Sequence, residues 1–90
     1  MIEVVVYSKP GCHLCDEVKA QLARLRASFN FEEREINILD DPRSFEVFKD
    51  DIPVVFINGK KAFKYRLDEK EFARRMEAIL AGERKLTHGA

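Results

Sequence analysis

Residues 2–18 read IEVVVYSKPGCHLCDEV, and no other segment of the chain combines as many structural signals. The β-branched run at residues 2–7 predicts a buried central strand. The Pro-Gly pair that follows predicts a turn. From Cys12 to about residue 28, apolar residues recur every three or four positions, which predicts a helix. Both cysteines of the chain, Cys12 and Cys15, would therefore lie at the start of that helix.

The segments after this first helix predict a strand, a short helix and a hairpin. Residues 31–39 alternate imperfectly, which suits a strand near the sheet edge. Asp41 and Pro42 form a helix-start signal, and the short helix would bury Phe45 and Phe48. An Asn-Gly pair at residues 58–59 separates two strand-like runs and predicts a β-hairpin. The second run is rich in lysine, which is typical of an edge strand.

The last predicted helix completes an α/β fold. Asp68 and Glu71 form a capping box, and Gly82 is the expected stop. The buried face of this helix would consist of Phe72, Met76, Ile79 and Leu80. The predicted order is βαβαββα, a four-stranded mixed sheet with helices on both faces, in which the first βαβ unit is parallel and the hairpin is antiparallel. We expect one domain at residues 1–82 and a polar C-terminal tail at residues 83–90.

Composition and charge exclude several classes of partner. The 90 residues include 16 basic and 16 acidic residues, so the formal charge is zero, which argues against nucleic acid. No apolar run approaches the roughly 20 residues of a membrane span. A signal peptide has a basic region ahead of its apolar run, and the first residues of this sequence show none. We therefore expect a cytoplasmic protein with no membrane partner, and we expect a monomer.

The position of the two thiols predicts redox chemistry. A helix N-terminus favours negative charge, so we expect Cys12 to form a thiolate more readily than a free cysteine does. Lys9, and His13 when protonated, would strengthen this effect. Cys15 lies one turn further along the apolar face and should be more buried. Cys12 would then attack a disulfide, and Cys15 would resolve the mixed disulfide that results.

A structural zinc site is the main alternative for the cysteine pair. Zinc usually takes four ligands, and only His13 and His88 could join the two thiols. A C-x-x-C pair at the helix start of a βαβ unit is more typical of redox proteins. We therefore expect no metal site.

The chain also resembles a known family. YSKPGCHLC resembles the start of glutaredoxins, and DIPVVFINGK resembles their strand–turn segment, whose Val-Pro carries a cis peptide bond. Within the thioredoxin-like superfamily, the chain looks most like small glutaredoxin-like proteins. The resemblance implies a thiol–disulfide oxidoreductase that reduces protein disulfides or mixed disulfides of glutathione. It implies no built-in cofactor, with glutathione as a possible cosubstrate.

The resemblance assigns further site residues. Cys12 matches the nucleophilic cysteine and Cys15 the resolving one. Lys9 matches a lysine that meets a carboxylate of glutathione, and Pro53 matches the cis-proline beside the active site. Ile52 would offer its backbone N–H and C=O to an extended substrate. His13 is included among the candidate substrate contacts.

Two departures from the glutaredoxin pattern leave the substrate open. The residues between the cysteines are His-Leu, where glutaredoxins usually have Pro-Tyr. Phe63 and Lys64 stand where glutaredoxins have a glycine pair, and their side chains would crowd the approach that glycines permit. Specific glutathione binding therefore stays open. The alternative function is a module without turnover, which binds an iron–sulfur cluster or a partner.

Overall fold

The helices and strands follow the predicted order. The computed structural model describes residues 1–89, with the side chains of residues 1–83. Within this range the elements are β1 (Ile2–Ser8), α1 (His13–Leu25), β2 (Phe31–Asn37), a 3₁₀ helix (Ile38–Asp40), α2 (Pro42–Phe48), β3 (Val54–Ile57), β4 (Lys60–Lys64) and α3 (Glu69–Gly89). No helix in this range has the length and apolar character needed to cross a membrane.

The four strands form one mixed sheet in the order β2-β1-β3-β4. β1 pairs in parallel with β2 and antiparallel with β3, and β3 pairs antiparallel with β4. The valine-rich β1 is therefore central, where an almost continuous apolar run is buried on both faces. The lysine-rich β4 lies at an edge, as predicted.

Two helices cover one face of the sheet and one helix covers the other. α1 and α3 pack on the face that carries Val4 and Val6, and this larger core contains Leu22, Phe72 and Met76. Tyr7 points to the opposite face because side chains alternate along a strand. There its ring contacts Phe48 of α2, with ring centres 4.5 Å apart.

The β3–β4 turn ties the hairpin to the start of β1. Asn58 and Gly59 both have positive φ, 49° and 81°, as expected for an Asn-Gly hairpin turn. The Asn58 N–H donates to the Glu3 carbonyl at 2.8 Å, and the Glu3 N–H donates to the Asn58 side-chain oxygen at 2.9 Å. These bonds lie at the end of β1 opposite the cysteines.

Two predictions about α2 and β2 were wrong. Phe45 is 38% exposed and only Phe48 packs inward, because this seven-residue helix has one narrow inner face, which Ser44 shares with Phe48 at i, i+4. β2 ends at Asn37 instead of residue 39. The Asn37 side chain accepts from the Leu39 N–H at 2.9 Å and begins the 3₁₀ helix.

Two predictions about α3 were also wrong. The helix continues through Gly82 to Gly89, because one glycine costs only about 1 kcal/mol and good helix formers follow it. Leu80 is 36% exposed, whereas Phe72 and Met76 are buried and Ile79 packs against the core. The division into a domain at 1–82 and a tail at 83–90 stays a prediction. Most of that tail, with His88, lies outside the residues whose side chains are described.

Candidate active site

Cys12 and Cys15 lie at the N-terminus of α1 and are joined in a disulfide. Cys12 is the N-cap residue, and its sulfur accepts a hydrogen bond from the Cys15 N–H at 3.2 Å. Their Cα atoms are 5.2 Å apart, within the usual range for a disulfide. Cys12 is partly exposed, whereas Cys15 is fully buried, so the two thiols have the unequal exposure that the sequence predicted.

A small apolar cluster surrounds the thiols. Cys15 packs with Ile38 and Ile52, and Cys12, Tyr7 and Phe48 lie against this group. The Ile52–Pro53 peptide bond is cis, as the resemblance implied. The structure therefore places the segment before β3 directly beside the sulfur atoms. Ile38 was not among the predicted site residues, since its only signal was its place in the imperfectly alternating segment at residues 31–39.

The backbone of Ile52 is not engaged by its neighbours. Among the described residues, no hydrogen bond uses the Ile52 N–H or its C=O. The carbonyl of the next residue, Pro53, accepts from the Tyr65 N–H at 2.8 Å. The N–H and C=O of Ile52 therefore have no protein partner among the described residues, and the residue is 9% exposed.

The side chain of His13 is directed along the helix surface. It is 89% exposed, and its Nε2 lies 3.5 Å from a carboxylate oxygen of Glu17. This places its ring beside an acidic group at i+4, so the Glu17 carboxylate offsets the positive charge of a protonated His13. This contact with Glu17 was not predicted from the sequence.

Lys9 is one of the residues that line a cleft of about 270 Å³ at the C-terminal ends of β1 and β2. Inside this cleft, the buried Ser8 hydroxyl donates to Glu35 at 2.9 Å, and the Lys19 ammonium lies 2.7 Å from the same carboxylate. The hydrogen bond from Lys19 lowers the pKa of Glu35, with a smaller effect of Ser8 in the same direction. That bond also raises the pKa of Lys19.

Replacing Glu35 by Gln should reduce stability in a pH-dependent way. The folded-state pKa of Glu35 is lowered, so its stabilising effect is present above the unfolded carboxyl pKa of about 4.3 and is lost as the pH falls through the folded pKa. The side chains are 36% and 44% exposed, so we expect a loss of at most about 1 kcal/mol at pH 7. Urea unfolding at pH 7 and in the acid range measures it.

Glu32→Gln is the matched control for that experiment, because Glu32 is an exposed glutamate on the same strand. Its effect on the free energy of unfolding should be smaller than that of Glu35→Gln at pH 7. A difference between wild type and Glu35→Gln that stays constant through the acid range would contradict the assigned role of the carboxylate.

The segment that replaces the glutaredoxin glycine pair is held by its own contacts. Phe63 packs against the larger core, and the Arg75 guanidinium lies over its ring at 5.8 Å. The Lys64 ammonium lies 3.9 Å from an Asp51 carboxylate oxygen. Side chains therefore occupy both positions and connect them to other parts of the chain.

The described residues contain no group of three or more His, Cys, Asp or Glu side chains placed to hold a metal ion. The candidate site therefore consists of the two sulfur atoms, the side chains of Ile38 and Ile52, and the N–H and C=O of Ile52.

Known proteins are similar to this chain in sequence and in fold. The chain matches the family described as Glutaredoxin-like domain (DUF836) over residues 3–77. It is 32% identical over 85 residues to the Glutaredoxin-like protein YDR286C homolog of Dictyostelium discoideum, a match that covers 88% of this chain and 79% of that protein.

Solved structures are similar as well. Protein Ne2328 of Nitrosomonas europaea, determined by solution NMR, superimposes with a TM-score of 0.75 at 32% identity, covering 83% of this chain and 91% of that one. The X-ray structure of XcR50 from X. campestris shares the fold, with a TM-score of 0.67 at 24% identity over 83% of this chain and 96% of that one. Since the family match spans both cysteines and the Ile52–Pro53 segment, the chain belongs to the glutaredoxin-like family (DUF836).

Proposed function

We propose that this protein is a thiol–disulfide oxidoreductase that reduces disulfides in proteins or mixed disulfides of glutathione. The observation that carries the proposal is the placement of the two sulfurs. Cys12 is a partly exposed N-cap, and the buried Cys15 lies close enough to form a disulfide with it. The hydrogen bond that the Cys12 sulfur accepts from the Cys15 N–H supports a Cys12 thiolate, since a donor directed at the sulfur stabilises negative charge.

The reaction has two exchange steps. The Cys12 thiolate attacks one sulfur of the substrate disulfide, which breaks that bond and releases the other sulfur as a thiolate that takes up a proton. Cys15, after losing its proton, then attacks the Cys12 sulfur and releases the second substrate thiol. The substrate gains two electrons and two protons, and the protein is left with the Cys12–Cys15 disulfide. A thiol reductant such as glutathione restores the dithiol.

The substrate would bind beside Ile52. An extended chain next to the reacting disulfide can form hydrogen bonds with the unused N–H and C=O of Ile52, as an added strand does. Pro53 follows in the buried wall of the site. Lys9, which precedes Cys12 in the sequence, and His13, which follows it, are both exposed and would meet acidic groups of the substrate. No built-in cofactor is needed, and a reducing compartment such as the cytoplasm would suit this direction of reaction.

The proposal is tested by equilibrating the protein in glutathione buffers of graded ratio, followed by acid quench and intact-mass measurement. We expect a dithiol form and a disulfide form that differ by two hydrogen atoms, with one midpoint between them. An additional species carrying one glutathione would favour mixed disulfides of glutathione as substrates. The intramolecular disulfide without that adduct would favour protein disulfides.

Cys15→Ser is the control for this experiment, because it retains the attacking thiol but cannot form the internal disulfide. It should accumulate a glutathione adduct on Cys12. If the wild-type protein showed neither the disulfide nor the adduct across the whole range of ratios, the redox function would be wrong.

A further inference from the structure

Tyr65, directly after β4, has a backbone conformation that residues other than glycine rarely adopt. Its φ is 69°, in the left-handed region where glycine is favoured. The other described residue with this feature that is not glycine is Asn58, whose side chain caps the hairpin onto β1. A tyrosine held in an unfavourable conformation suggests that its side chain makes contacts that a glycine could not.

The side chain and the backbone of Tyr65 make contacts on the two sides of Ile52. The Tyr65 hydroxyl lies 3.1 Å from the Asp50 carbonyl and 3.3 Å from a carboxylate oxygen of Asp51, so the segment before Ile52 is attached to the phenol. The Tyr65 N–H donates to the carbonyl of Pro53 at 2.8 Å, so the segment after Ile52 is attached to the backbone of the same residue.

Lys64 strengthens this arrangement. Its ammonium lies 5.2 Å from the centre of the Tyr65 ring and 3.9 Å from the Asp51 carboxylate. The ammonium therefore lies close both to the Tyr65 ring and to the Asp51 carboxylate that the Tyr65 hydroxyl meets. The left-handed backbone of Tyr65 accompanies a geometry in which the ring meets the turn at residues 50–51 while its N–H bonds to Pro53.

We propose that Tyr65 is a positioning residue that holds the peptide groups of Ile52 in place for an extended substrate chain. This inference rests on the proposed function and goes beyond it by naming the class of substrate whose binding depends on Tyr65. Peptide and protein disulfides, which have a backbone next to the reacting sulfur, would depend on Tyr65. A small aromatic disulfide without peptide groups would not, because it cannot pair with Ile52.

The test compares Tyr65→Phe and Tyr65→Gly on two substrates, a disulfide-containing peptide and the small disulfide 5,5′-dithiobis(2-nitrobenzoate). The peptide is assayed in turnover with glutathione as the reductant, and the small disulfide is assayed in a single turnover with pre-reduced protein alone, because glutathione reduces it directly. Losing one hydrogen bond in Tyr65→Phe should raise the KM for the peptide roughly three- to tenfold, with kcat within about twofold. Tyr65→Gly, which also loses the ring, should raise it further. The rate with the small disulfide should stay within about twofold in both variants.

Asn58→Gly is the matched control, since it also replaces a residue of positive φ whose side chain makes a hydrogen bond, but at the opposite end of β1. Its KM values should be those of the wild type. A second measurement is amide hydrogen exchange at Asp51, whose N–H donates to the Phe48 carbonyl at 2.8 Å. Exchange there should be faster in Tyr65→Phe and unchanged in Asn58→Gly.

The outcomes separate the two proposals. A wild-type protein that reduces neither substrate would overturn the proposed function, and this inference with it. An active wild type whose KM for the peptide is unchanged in both Tyr65 variants would overturn only the role of Tyr65. A rise in the KM for the peptide matched by an equal loss of rate with the small disulfide would show that Tyr65 supports the fold as a whole. Unchanged exchange at Asp51 would show that Tyr65 does not hold the segment before Ile52. Either result would overturn its role in positioning the substrate.

Discussion

Cys12→Ser is expected to abolish turnover with every disulfide substrate. In the proposed mechanism the sulfur of the partly exposed Cys12 attacks the substrate, and a serine hydroxyl at the same N-cap position is too weak a nucleophile for disulfide exchange. The fold should be retained, because serine is a preferred N-cap residue and its oxygen can accept the Cys15 N–H that now donates to sulfur. An assay of disulfide reduction measures the loss of turnover, and circular dichroism on the same sample measures whether the fold is retained.

Cys15→Ser should give the complementary result. Cys15 is fully buried and would act only in the second step of the proposed mechanism, so the variant should attack a protein disulfide and remain linked to it. Intact mass should show the trapped adduct, and reduction of glutathione adducts should continue with glutathione as the second thiol. Dithiol activity in both single variants would contradict the mechanism.

Phe72→Ala is expected to cause the largest loss of stability. Phe72 is fully buried, and its ring lies edge-on to Phe31 and Phe29, with ring centres 5.6 and 6.1 Å away. Removing a buried phenylalanine ring typically costs about 3–5 kcal/mol, out of a total of about 5–15 kcal/mol for a domain. We therefore expect a large shift of the urea unfolding midpoint, or an unfolded protein at room temperature.

Phe45→Ala makes the same chemical change at the surface. Phe45 is partly exposed on α2, and its ring contacts the Lys49 ammonium at 5.8 Å. Its loss should cost less than about 1 kcal/mol, because surface substitutions and exposed cation–π contacts have small effects. Equal losses for the two variants would mean that α3 does not form the core described above.

Most of the fold could be predicted because its signals are local. The valine run of β1, the Asp41-Pro42 helix start and the Asn-Gly hairpin each depend on neighbouring residues. The errors came where packing decides. Whether Phe45 or Ser44 faces the sheet depends on how α2 is rotated over it, and a single glycine is too weak a signal to end α3 at Gly82.

The candidate site could be predicted only in part. The two cysteines and the cis Ile52–Pro53 bond follow from short motifs and the family resemblance. Contacts between residues far apart in the chain could not be inferred, because they depend on the register of the strands. The bond between Ser8 and Glu35 is one example, and the attachment of Tyr65 to the turn at residues 50–51 is another.

The positions of the two tyrosines have a consequence for spectroscopy. The chain has no tryptophan and only two tyrosines, so excitation at the red edge of its absorption band reaches Tyr7 and Tyr65 alone. Tyr7 packs against the small apolar cluster that contains Cys15, and the Tyr65 hydroxyl is hydrogen-bonded to the turn ahead of Ile52. Disulfides quench excited phenols at short range. The intrinsic fluorescence of this protein should therefore report oxidation of its thiols without any label, and Tyr65→Phe separates the two emitters.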